Sequence, residues 1–161
     1  MNSKARIAGL AAGCAVIAGA LTLPAQAHHS FAMYNLDKTM VMTGVVTRVD
    51  PAPNHLQIFF AQMNEERTNV VRDANNQPII WSVEMGGSAQ MARQGVTVNS
   101  FAPRTVFSVG FHPLRNGEHG GSREGGMFRC PDETPPEPGK HCDSVEGNTQ
   151  IGNEPLPSIV E

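Results

Sequence analysis

The sequence predicts a mainly β protein: a small five-stranded OB-like barrel with one short helix between strands three and four, followed by an irregular C-terminal extension. Three observations predict it. Alternating apolar and polar residues recur from Thr39 to Arg129, one short helical segment interrupts them after the third run, and Pro, Gly, Asn and acidic residues dominate beyond Cys130. Three strands, a helix and two strands is the element order of an OB-type barrel. A β-sandwich fragment carrying one helix would give the same string.

The first 27 residues read as a secretory signal. Lys4 and Arg6 form a basic start, Ile7 to Leu23 is an apolar run, Pro24 breaks it, and Ala25-Gln26-Ala27 has the small-x-small cleavage pattern. The run is short and rich in small residues, which disfavours a membrane span. Cys14 within Ala11-Ala12-Gly13-Cys14 offers a lipoprotein reading as the lesser alternative. The expected localisation is the periplasm or the exterior, with no membrane attachment after cleavage. Residues 28–129 are then the β domain and 130–161 the extension. Losing Lys4 and Arg6 takes the formal charge from −3 to −5. With no basic stripe and few aromatics, nucleic acid is a poor partner.

Strand one is Thr39–Val49, rich in β-branched residues and stopped by Asp50-Pro51-Ala52-Pro53-Asn54. Strand two, "HLQIFFAQM", puts Leu56, Ile58 and Phe60 on one face. A polar stretch from Asn64 to Gln77 reads as a long hairpin loop. Strand three, "IIWSVEM", alternates Ile79, Trp81, Val83 and Met85 against Ile80, Ser82 and Glu84. "AQMARQG" reads as the helix, with Ser88 as N-cap and Gly95 as stop. Strand four, "TVFSVGF", places Thr105, Phe107, Val109 and Phe111 together, and Asn116-Gly117 signals a hairpin turn. A last short strand falls near Gly126–Arg129, after a Gly-rich stretch "GEHGGSREGG" that reads as a flexible hairpin tip. Cys130 and Cys142 form an even pair bracketing a Pro-rich segment, which in an oxidising compartment predicts a disulfide. The rival, a Cys/His metal site using His141, matches no zinc spacing.

The residues with chemical potential are histidines. Cleavage after Ala27 would make His28 the first residue, so its α-amine and imidazole become adjacent nitrogen donors beside His29. These groups have ordinary pKa values of about 7.7–8.0 and about 6.5, so both lose their protons near neutrality. His55 opens strand two with the parity of Gln57 and Phe59. His112 closes strand four with the parity of Ser108 and Gly110. Both therefore leave the apolar face of their strands. Taken singly, each is an ordinary surface-turn histidine. Together with the N-terminal pair they offer a nitrogen donor set that suits Cu(II), with zinc as the alternative ion. Glu84, on the polar face of strand three, is a candidate partner for a ligating histidine. No hydrolase elbow, nucleophilic Cys setting or carboxylate pair is present.

The segments "AHHSFAMYNLDKT", "NHLQI", "WSVEM" and "HPLRNGEHGG" resemble an uncharacterised family of small exported bacterial proteins, a domain of unknown function. That family carries a mature HHSF start, an Asn-Pro-His ahead of a strand, and H-P-x-R-[DN]-G. The resemblance covers roughly Ala27 to Gly126, and its histidine positions correspond to His28, His29, His55 and His112. This chain has Pro53-Asn54-His55 in place of Asn-Pro-His, lacks the family's Trp before that motif, and adds the Cys130–Cys142 extension. The resemblance implies a site and no activity.

The expected function is periplasmic metal binding, with copper favoured, in which the metal ion is the partner and the mature N-terminal histidine pair is central. Two alternatives stand beside it: a metal-free envelope binding or scaffold module that serves an envelope protein, and a copper-dependent redox enzyme. The residues favour binding over catalysis.

Overall fold

The computed structural model describes residues 31–161. Five strands follow the expected order: β1 (Met40–Asp50), β2 (His55–Gln62), β3 (Ile80–Gly86), β4 (Val106–Pro113) and β5 (Gly120–Arg129), with a short helix α1 (Ser88–Arg93) between β3 and β4. β1 pairs antiparallel with both β2 and β4, β3 with β2, and β5 with β4; a parallel β3–β5 pairing closes the barrel. The fold is thus the five-stranded OB-like barrel with its single helix and C-terminal extension.

Closure depends on β1 serving two neighbours. A bulge between Val46 and Arg48 shifts its register against β2 and adds the local twist that a small barrel needs. Gly44 lies where the two pairings overlap. A Cβ there would come within 2.3 Å of the Phe60 ring and 2.8 Å of the Ala61 carbonyl oxygen, so no larger residue fits.

The alternating pattern becomes the core. Leu56, Ile58 and Phe60 of β2, Trp81, Val83 and Met85 of β3, and Phe107, Val109 and Phe111 of β4 are buried in one cluster. Phe60 and Phe101 each meet Phe107 edge-on, at centroid separations of 5.2 Å and 5.3 Å. Each fully buried aromatic or aliphatic side chain of this kind stabilises by about 1.5–3 kcal/mol. Met91 of α1, Val96 and Phe101 join the same cluster.

Two local expectations are corrected. Ser88 is the first residue of α1 and not its N-cap; Gly87 takes that position, while the Ser88 hydroxyl donates to the Ala52 carbonyl at 2.8 Å. Gly95, by contrast, sits past the helix end at φ +79°, as a stop residue does. The Gly-rich stretch after Asn116 is not a flexible tip: β5 begins at Gly120 and its first residues form the closing ladder with β3. His119 lies with its ring 4.8 Å from that of Trp81, and its carbonyl accepts the Ser82 N–H. Glycine is required here because a Cβ at Gly121 would meet the Phe111 ring at 2.4 Å.

The C-terminal extension is laid against the barrel. The Cys130–Cys142 disulfide is formed, with 5.0 Å between Cα atoms. Both cysteines pack with Met63, Val106 and Phe128 in a second buried cluster. A short strand β6 (Thr149–Ile151) pairs with the end of β5, and Val160 bridges back to Thr39. This cover buries two hydroxyls, Thr43 and Ser108. They are satisfied in sequence: the Cys142 N–H donates to Ser108 Oγ at 2.8 Å, Ser108 and Thr43 share a bond of 2.7 Å, and Thr43 Oγ1 meets His141 Nδ1 at 2.9 Å.

Candidate functional site

The outer face of the barrel, opposite the apolar set, carries the polar residues of the same strands. His55 opens β2 after the Pro-rich turn, and Gln57 follows on the same face. Gln57 lies opposite Glu84 across the β2–β3 ladder, with His55 opposite Gly86. His55 and Glu84 are therefore diagonal neighbours, within reach of long side chains. The geometry uses that reach: His55 Nδ1 lies 2.8 Å from Glu84 Oε1, and Gln57 Nε2 donates to Glu84 Oε2 at 3.3 Å.

A third group arrives from outside the sheet. Residues preceding β1 form an arm along the end of β4. The Asn35 N–H donates to the Pro113 carbonyl at 2.8 Å, the Arg115 N–H to the Met33 carbonyl at 2.9 Å, and Tyr34 bridges Leu114. Tyr34 is buried at 6% exposure, and its hydroxyl lies within reach of the charge of the Glu84 carboxylate. Burial first, and then the nearby Glu84 carboxylate, push the phenol up to about 12. Glu84 thus bears on β2, β3 and the arm through one carboxylate.

His112 ends β4 on the same outer face. Its Nδ1 donates to the Lys38 carbonyl at 2.7 Å, and its Nε2 lies 3.4 Å from Glu124 Oε2. The ladder runs Gln57, Glu84, Ser122, His112 across β2, β3, β5 and β4. Three strand spacings of about 4.8 Å separate the backbones of β2 and β4 by roughly 14 Å along this route. His55 and His112 consequently share a face but have different carboxylates, Glu84 and Glu124. Among the described residues, no group of three or more His, Cys, Asp and Glu side chains assembles that could hold a metal ion. His28 and His29 lie outside the described residues.

A family model, described as a family of unknown function (DUF6152), matches residues 16–123. The chain belongs to this family. The DUF6152 match takes in His28, His29, His55, Glu84 and His112, along with the whole arm, and ends within β5; the disulfide and β6 lie beyond it. No curated protein and no solved structure matches the chain.

Sequence reasoning identifies His55, Glu84 and His112 by parity but passes over two residues. Gln57 has the parity of His55 and faces Glu84, so the same alternation contains its signal. Tyr34 has no such signal, because it lies on an irregular arm where no period assigns a face.

Proposed function

We propose that this DUF6152 protein is an exported metal-binding barrel, with copper as the favoured ion and zinc the alternative. In it the mature N-terminal residues His28 and His29 join His55. The observation that carries the reading is the Glu84 carboxylate, which accepts from His55 Nδ1 and whose charge bears on the Tyr34 hydroxyl of the N-terminal arm.

A carboxylate on one imidazole nitrogen fixes the ring, sets its tautomer and raises the basicity of the other nitrogen, the usual support of a metal-ligating histidine. Coordination by His55 would then run through Nε2. Tyr34 brings the arm near the same carboxylate. His29 and His28 precede it by five and six residues, a length of chain that reaches up to roughly 20 Å. Cleavage after Ala27 would give His28 a free α-amine, so that one residue supplies two nitrogen donors. An all-nitrogen set suits Cu(II), which heads the affinity order of the divalent first-row ions. His112, bound to the Lys38 carbonyl and facing Glu124, steadies the arm from the other side; it joins the donor set only if the arm closes the distance.

The experiment is a Cu(II) titration of protein beginning at His28, of the same protein with one extra Ala before it, and of His55→Ala. Tighter binding by the unextended form than by either other form supports the site. Equal affinities of the first two remove the α-amine and overturn it. Intact-mass analysis of exported protein gives the mature terminus and any bound metal. Metal-free protein from the native compartment would favour the envelope scaffold module. Oxygen consumption by reduced, copper-loaded protein above a free-copper control would favour a redox enzyme.

A further inference from the structure

A cavity of about 270 Å³ opens beside the end of α1, lined by Arg93 and Gln94, by Arg123 of β5, and by Gly152, Asn153 and Glu154 after β6. The Arg123 guanidinium is half-buried there and incompletely satisfied. Its Nε donates to the Gly125 carbonyl at 3.0 Å. Its Nη1 reaches Gln94 Oε1 at 3.4 Å and Met91 Sδ at 3.9 Å. Among the described residues no carboxylate forms an ion pair with it, and Nη2 has no hydrogen-bond acceptor. Nη2 faces the wall at Gly152, where φ is +88° and a Cβ would lie 3.7 Å away. Burial pulls the guanidinium pKa down, opposed by the charges of Glu154 and Glu124.

A partly desolvated guanidinium whose carboxylates act only from beyond ion-pair distance is incompletely compensated, and an arriving anion relieves that cost. The arginine fork matches the two oxygens of a carboxylate, and Arg93 adds a second cation on the same lining. Glu154 sets a limit. Its carboxylate shares the lining with the two guanidinium groups, and Glu124 also acts on Arg123, so a doubly charged anion is disfavoured relative to a monoanion. Size sets another, because water occupies about 30 Å³ per molecule and drug-sized pockets run from about 300 Å³ upward.

We propose that this cavity binds a small carboxylate monoanion, held by Arg123 Nη2 and the Arg93 guanidinium. The test follows the arginine Nε–H signals of the intact protein by NMR while acetate, inorganic phosphate or chloride is added at matched ionic strength. Acetate is expected to give a saturable shift at Arg123. Arg93→Gln, at an exposed position, is expected to weaken acetate binding about fivefold, the equivalent of about 1 kcal/mol for an exposed charge pair. Glu154→Gln is expected to strengthen phosphate binding relative to acetate. An N-acetylated tripeptide with a free C-terminus, compared with its amide, distinguishes a peptide terminus from a free acid: gain over acetate assigns the terminus, loss assigns the acid. A shift that chloride reproduces, or acetate affinity unchanged in Arg93→Gln, overturns the proposal. Tighter binding of phosphate than acetate by the unmodified protein overturns the carboxylate assignment.

Discussion

Glu84 Oε1 lies 2.8 Å from His55 Nδ1, and the charge of the same carboxylate helps to raise the pKa of Tyr34. Replacing Glu84 by Gln removes the charge that orients the ring. Copper affinity is expected to fall by about 10- to 100-fold, the range for losing such a carboxylate partner. Competitive titration against a chelator reads the loss. Unchanged affinity would detach His55 from the proposed metal site.

Tyr34 is the single tyrosine of the chain, so its ionisation can be followed by tyrosinate absorbance alone. The native midpoint is expected near 12, against about 10 for an unfolded chain. The sign follows from the raised value. The contribution to stability is complete below pH about 10 and disappears as the pH rises toward 12. In Glu84→Gln the midpoint should drop only part of the way, because burial is the larger cause and survives the substitution.

Tyr34→Phe keeps the buried ring and deletes the hydroxyl. The expected loss is about 0.5–1.5 kcal/mol, the range for the net polar contribution of one hydroxyl. Urea denaturation measures it. Hydrogen exchange should show faster opening at the Asn35 and Arg115 amides, which stitch the arm to β4.

His141 is held toward its neutral form, by burial first and by Arg67 second, with Asp143 opposing. The bonding pattern fits that form. Cys142 N–H donates to Ser108, Ser108 can donate to Thr43, and Thr43 can donate to an unprotonated His141 Nδ1. A proton on Nδ1 would reverse the hydroxyls. The depressed pKa means that the unfolded chain takes up the proton first. Stability is therefore complete above pH about 6.5 and declines as the pH falls below it. Denaturation midpoints compared across that window should flatten in His141→Asn.

Reducing the Cys130–Cys142 disulfide, or replacing both cysteines by Ala, is expected to destabilise the protein by about 3 kcal/mol, as for a loop of this size. The denaturation midpoint reads the loss. Near-native stability after replacement would assign the hold on the extension to β6 and the second apolar cluster instead.

The strands that were legible in the sequence are those whose inward residues are large. Leu56, Ile58 and Phe60, or Trp81, Val83 and Met85, state their period directly because they fill the barrel. The start of β5 does not, because Gly120 and Gly121 serve the sheet by having no side chain, and Leu114 and Phe111 respectively occupy the space. The same distinction governs the site. His55, Glu84 and His112 announce a face by alternation. Tyr34 reaches that face from an arm whose path is set by backbone bonds to residues about 80 positions away. The fate of Thr43 and Ser108 was likewise hidden: strand parity turns them outward, and only the tertiary placement of the extension buries them.

The pairing of Thr39 with Val160 has a kinetic consequence. It joins positions 121 residues apart, and ordering so long an intervening chain must precede any reward from the contact. The arm carrying Tyr34 leads directly into Thr39, so this seam should close late in folding, after the barrel has formed its hairpins. An assembly order of that kind would keep the arm mobile until the scaffold beneath it is complete.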